Sequence, residues 1–124
     1  MIDTYAKRVS SRGISVVFHS GRISPEEYEE RIGSVVGDVI ILDQGGKQTS
    51  STEFAKTIQE SSMSENTLNM AIGPPDGFTR EAKNKFPSIS LSAMTFPHEL
   101  AAAMLLEQVY RACEINRGSS YHRE

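Results

Sequence analysis

The 124-residue chain is short of several features that would settle its class at a glance. It has one cysteine, Cys113, which excludes an internal disulfide framework and any zinc site made from several thiolates. It has no tryptophan, and its three histidines, His19, His98 and His122, stand at spacings that match no metal site, so no bound metal is expected. No apolar run approaches the ~20 residues a membrane span needs. The first residues lack the charged-then-apolar order of a secretory signal, so a cytoplasmic protein with no membrane partner is expected. A strong charge of one sign is missing too. The chain carries 13 Lys and Arg against 16 Asp and Glu, a net of −3, which argues against bulk electrostatic binding to nucleic acid. The acidic excess falls in residues 38–78, so a basic patch can still form where the first segment meets the last. The familiar phosphate motifs are absent. Gly46-Lys47 is no P-loop, because Ile41 stands where its first glycine belongs and Gln48 replaces Ser or Thr, and no Gly-x-Gly-x-x-Gly occurs.

What is present reads as one domain over residues 1–124, since single domains cluster at roughly 100–150 residues. Residues 3–12 have the pattern of a short helix, and Ile14 to Phe18 is a β-branched run with the composition of a strand. Ser24-Pro25-Glu26-Glu27 announces the next helix: Ser24 caps, Pro25 suits the first helical position and Glu27 completes a capping box. Tyr28, Ile32 and Val35 or Val36 continue it, with Gly37 as its C-terminal cap. Asp38 to Asp43 is a continuous apolar strand of the kind covered on both faces in a parallel sheet. After the loop 44–47, Ser50 and Glu53 form a second capping box for a helix carrying Phe54 and Ile58. Strands over 67–73 and 88–94 flank a short helix over 79–85. The longest helix, about 97–116, places Ala102, Leu105, Leu106, Val109 and Cys113 on one stripe, widened by Leu100, Ala101, Ala103 and Met104. The alternation predicts an α/β domain with a mainly parallel sheet. A helix apolar on nearly every side, with one small sheet to cover, points to a dimer interface as its second partner.

In open α/β sheets, ligands bind beyond the carboxyl ends of the strands. Three loops leave such ends: 43–48, 73–78 and 94–98. Their Gly, Pro and small polar residues let backbone approach a small, flat, nucleotide-like ligand, although any parallel sheet needs tight turns there. Asp43 is expected to bond the turn that follows it, His19 to end a strand, and His98 either to bond a backbone group at the start of the last helix or to face the loop cluster. Cys113, on the buried stripe, reads as core packing. The ending Tyr121-His122-Arg123-Glu124 concentrates an aromatic, an imidazole, a guanidinium and a carboxylate where chains usually fray.

The ordered set Leu42-Asp43, Gly46-Lys47, Ser51, Glu53-Phe54-Ala55, Ile72-Gly73-Pro75-Asp76-Gly77, Leu91 to His98, Glu107 to Ala112 and Tyr121 to Glu124 resembles the RlmH family. These are ribosomal large-subunit methyltransferases of the SPOUT superfamily. The resemblance spans nearly the whole chain and implies a SPOUT-type α/β knot, with the C-terminal segment threaded as a trefoil. It also implies a symmetric homodimer with its active sites at the interface. S-adenosylmethionine would be the cofactor, leaving S-adenosylhomocysteine. The target would be N3 of a pseudouridine in 23S ribosomal RNA, free or in the assembled ribosome, with no DNA partner. Carried over by motif, the cofactor residues are Leu42, Gly73, Leu91, Ser92, Ala93, Met94, Thr95 and Phe96. The catalytic group is Tyr121, His122 and Arg123, with His122 as proton acceptor and Arg123 meeting phosphates together with Lys or Arg residues of the first helix. Three departures stand out. Family members begin with a strand ahead of the helix at Asp3, which this chain is expected to lack. Pro74 replaces a loop glycine, removing an N–H, and Gly45 stands where Arg is common. Two other readings follow: a non-catalytic RNA- or ribosome-binding SPOUT protein, and a SPOUT methyltransferase acting on another RNA.

Overall fold

The apolar run predicted around Val39 to Leu42 becomes the middle strand of a three-stranded parallel sheet. The structure is a computed structural model that describes residues 2–74 and 76–123, so Pro75 and Glu124 of the motifs above lie outside the described residues. In chain order the elements are α1 (Ile2–Ser10), α2 (Pro25–Gly33), β1 (Asp38–Gln48), α3 (Ser51–Met63), β2 (Leu68–Ile72), α4 (Arg80–Lys85), β3 (Ser88–Ser90) and α5 (His98–Arg117). The strand order is β2-β1-β3. Parallel neighbours need crossover connections, and α3 and α4 supply them in the chain.

The residues group into two compact units, Met1–Val16 with Thr49–Glu65 and Glu99–Glu124, and Val17–Gln48 with Asn66–His98. The second unit holds the sheet. Its core is Ile32, Ile41, Ala71, Phe78 and Ala82, with Tyr28, Val39 and Phe86 packed against them. Ile41 is fully enclosed, a burial worth roughly 1.5–3 kcal/mol. The first unit holds α1, α3 and α5, whose buried apolar residues are Val9, Phe54, Ala55, Ala103, Leu105, Leu106, Val109 and Ala112. Here Ser51 Oγ donates to Gln108 Oε1 at 2.8 Å and Asn116 Nδ2 donates to the Ala55 carbonyl at 3.0 Å, so the middle and the C-terminal end of α5 are tied to α3.

Helix starts follow the sequence signals closely. The Ser50 side chain accepts from Glu53 N–H while the Glu53 carboxylate accepts from Ser50 N–H, the reciprocal box that was expected. Ser24 Oγ likewise accepts from Glu27 N–H, but the Glu27 carboxylate pairs with Arg31 one turn on.

Other expectations are corrected. Residues 14–18 form no strand: no described strand pairs with them, and Val17 and Phe18 are each 72% exposed. β-branched composition alone does not supply a partner ladder. α2 stops at Gly33, leaving Val35 and Val36 exposed. Gly37 (φ +101°) instead makes the entry to β1, where a Cβ would lie 2.1 Å from the Thr67 carbonyl oxygen that accepts from Asp38 N–H. The stretch 44–47, expected as a loop, is an irregularity within β1: Ile89 of β3 aligns with both Leu42 and Lys47. β3 itself ends at Ser90, so 91–97 is irregular backbone. On α5 the buried stripe runs through Ala103 and Ala112, with Ala102 and Cys113 only half-buried beside it.

Candidate functional site

All three strands point the same way, so the segments after β1, β2 and β3 leave from one edge of the sheet. The first is the excursion 43–46 in β1. Gly46 lets it fold back on β3, because a Cβ there would stand 2.9 Å from the Ser88 carbonyl carbon and from its Oγ. Asp43, expected to bond the next turn, has one carboxylate oxygen over Gly45 and pairs with Lys83 of α4 at 3.5 Å.

The second segment follows β2. Gly73 is pressed on the Phe78 ring, 3.1 Å from where a Cβ would be, so the loop closes tightly on itself. Two neighbouring residues of α2 hold its ends. Tyr28 donates its hydroxyl proton to the Ile72 carbonyl at 2.6 Å and stacks on Phe78, and burial raises its pKa. Glu29 accepts from the Thr79 N–H at 2.8 Å and from the Thr79 hydroxyl at 2.6 Å. Sequence reasoning missed both. By spacing Tyr28 falls on an apolar stripe, and no local signal joins Glu29 to a threonine 50 residues away.

The third segment is 91–97. Ser90, almost wholly buried, donates its hydroxyl to the Ser92 carbonyl at 2.7 Å, and the Ser92 hydroxyl accepts from Met94 N–H at 3.1 Å. Thr95 donates its hydroxyl to the side-chain oxygen of Gln44, which fastens the third segment to the first. Leu42, Gly73, Leu91, Ser92 and Phe96 are half-buried, while Ala93, Met94 and Thr95 are exposed. Gly73 and the run Leu91 to Phe96 follow the ends of β2 and β3, and Leu42 stands within β1 just before its irregularity, all in one unit. The run 91–96 is uncharged, and its hydroxyls and apolar side chains suit a flat, nucleoside-like ligand better than a phosphate. No metal-binding cluster occurs among the described residues.

The terminal residues belong to the other unit. Gly118 (φ +77°) ends α5 in a Schellman turn: Ser119 N–H donates to the Glu114 carbonyl and Gly118 N–H to that of Ile115, both at 3.0 Å. That turn folds the tail back along α5. Tyr121 meets the Tyr110 ring edge-on at 4.9 Å, and the Arg111 guanidinium lies 5.1 Å from the Tyr121 ring centre. Burial, then the Glu107 charge, raises the Tyr121 pKa. His122 Nδ1 stands 3.0 Å from Arg111 Nη1, while Arg123 is exposed. Tyr121 and His122 thus pack on α5, and Glu107 and Arg111, unassigned from sequence beyond the motif, are built into that contact. His19 packs edge-on to Tyr28 from an irregular segment, and His98 opens α5. Cys113 is half-buried, and burial raises its thiol pKa, in keeping with a packing role.

The profile of the family described as "Predicted SPOUT methyltransferase" matches residues 1–122. Ribosomal RNA large subunit methyltransferase H of Prochlorococcus marinus is 36% identical over 126 residues, covering 99% of this chain and 84% of that protein. The proteins of the same name from Maridesulfovibrio salexigens and Thermodesulfovibrio yellowstonii are 41% and 38% identical, each over 82% of this chain and over 71% and 67% of their own lengths. Among solved structures, Archaeoglobus fulgidus Nep1 bound to S-adenosylhomocysteine superposes with a TM-score of 0.45 at 14% identity, over 74% of this chain and 38% of that one.

Proposed function

Since the chain belongs to the SPOUT methyltransferase family, we propose that it methylates large-subunit ribosomal RNA with S-adenosylmethionine, at N3 of a pseudouridine. The observation that carries this reading is the family match across 1–122; the uncharged run 91–96 beyond β3, fastened to Gln44 through Thr95, supports it. The bound cofactor supplies a methyl group activated by a sulfonium. The residues present fit such a group. Leu42, Gly73 and the run Leu91 to Phe96 would hold its nucleoside part through backbone and apolar contact, and no cation within 91–96 opposes the sulfonium. Tyr28 and Glu29 keep the second segment in place, and the Thr95–Gln44 bond does the same for the third.

Tyr121, His122 and Arg123 would meet the target nucleotide, with Arg123 and the exposed Arg8 of α1 near phosphates. We further propose a homodimer of single SPOUT domains, each spanning 1–124 and knotted by its C-terminal segment, in the cytoplasm. The half-buried Leu100, Ala101 and Met104 of α5 support an apolar second face for it. Calorimetric titration with S-adenosylmethionine and, separately, S-adenosylhomocysteine tests the cofactor assignment. One saturable site per protomer is expected, followed by methyl transfer to ribosomes lacking the modification. A folded protein that binds neither ligand would overturn the enzyme in favour of a non-catalytic RNA- or ribosome-binding protein. Binding without transfer to those ribosomes would move the substrate to another RNA.

A further inference from the structure

The contact between Arg111 and His122 has a chemical direction. A guanidinium carries only donors and keeps its proton at all ordinary pH values, so across 3.0 Å the Nη1–H must donate and His122 Nδ1 must accept. A neutral imidazole whose Nδ1 lone pair is engaged carries its proton on Nε2. The arrangement is anchored behind Arg111. Glu107 Oε1 accepts from Arg111 Nε at 2.9 Å and from Nη2 at 2.7 Å, and Tyr121 donates its hydroxyl to the same oxygen at 3.4 Å. Gln108 Nε2 donates to Glu107 Oε2 at 3.1 Å, completing the support. Glu107 is the main reason the Arg111 pKa is raised, which keeps the guanidinium charged. A carboxylate behind an imidazole makes it a better base, whereas a guanidinium there removes the lone pair a base would need.

From this geometry we propose that Glu107 and Arg111 are positioning residues that fix His122 as an Nε2–H donor toward the target base, so that His122 is not the acceptor of the N3 proton. The proposal rests on the methyltransferase reading above. The N3 proton of the imide leaves to water, and the resulting negative charge spreads onto the two flanking carbonyl oxygens. His122 Nε2–H donates to one of them, a fixed donor at the place where charge develops. The sequence alone points to His122 as proton acceptor, because its partner on Nδ1 meets it only in the folded chain.

Long-range proton–nitrogen NMR of the full-length protein labelled in histidine, with signals assigned through His122→Ala, reads the ring directly. Expected are a protonated Nε2 and a bare Nδ1 at His122, and a shift toward a mixed population in Arg111→Gln. A proton on Nδ1 in the wild-type ring, or a ring indifferent to Arg111→Gln in a folded protein, overturns the proposal. Methyl transfer supplies the second arm. His122→Gln, whose amide N–H takes the place of Nε2–H, should stay within about tenfold of wild type, while His122→Ala falls on the order of 100-fold, the scale of one preorganised donor. Equal loss in both variants, with S-adenosylmethionine binding intact, restores His122 as a base and overturns the proposal. Failure of the wild-type protein to bind S-adenosylmethionine sinks the methyltransferase reading instead, and the NMR result then decides the ring assignment on its own.

Discussion

Glu114 is an acidic side chain with 3% of its surface exposed, set on the longest helix, whose other buried residues are all apolar. It survives there because its partners surround it: Arg12 reaches Oε1 at 2.7 Å and Arg117 reaches Oε2 at 3.0 Å. A hydrogen bond from Ser119 is the largest influence, and with the two arginines it outweighs burial and lowers the Glu114 pKa to about 2. A carboxyl depressed in the folded state contributes stability above its unfolded value of about 4.3, and loses it as pH falls through about 2. Glu114→Gln should therefore be less stable than wild type at neutral pH, with the gap closing between about pH 4 and pH 2; urea titrations across that range check it. A constant gap down to pH 2 would mean that the carboxylate charge is not what matters. Gly46 makes a second prediction at this scale. Gly46→Ala pushes a Cβ into Ser88, so β3 must move, at a cost of about 1–3 kcal/mol and with weakened S-adenosylmethionine binding. Unfolding and calorimetric titration of the variant measure the two effects separately.

At the scale of elements, the capping boxes were legible because their chemistry is complete within four residues. Ser50 and Glu53 carry both halves of the bond pair, and replacing Ser50 with Ala should cost about 1 kcal/mol in a urea titration, with α3 losing helicity from its first turn. The strands were legible in composition and much less so in length. Residues 14–18 have strand composition and no ladder, while β1 runs on through two glycines that read as a loop. In each case the missing information is the neighbour: Ser88 and Ile89 beside β1, and no described strand beside 14–18. The same reason hid Tyr28 and Glu29, whose partners are 44 and 50 residues away. The Schellman turn at Gly118 could have been foreseen from the glycine alone, but the fold-back of the tail onto Arg111 and Glu107 could not.

For the whole molecule, the expectations concern what the chain binds and how many copies associate. A ligand held only by the folded state raises stability by about 2.7 kcal/mol at a hundredfold excess over its Kd, so S-adenosylmethionine and S-adenosylhomocysteine should both raise Tm. Light scattering should return twice the chain mass of 13.7 kDa. A monomer at micromolar concentration would remove the homodimer.

The sequence by itself determined the class of fold, the starts of the helices, the apolar middle strand and, through the order of its motifs, the family. These follow from contacts among near neighbours in the chain or from a pattern carried by the residue types themselves. The tertiary structure alone decided that Ile89 faces β1 at two places, that Tyr28 and Glu29 grip the segment after β2, and that Arg111 meets Nδ1 of His122. Those contacts need the chain to return on itself with the right register or rotamer, and no spacing rule specifies that return.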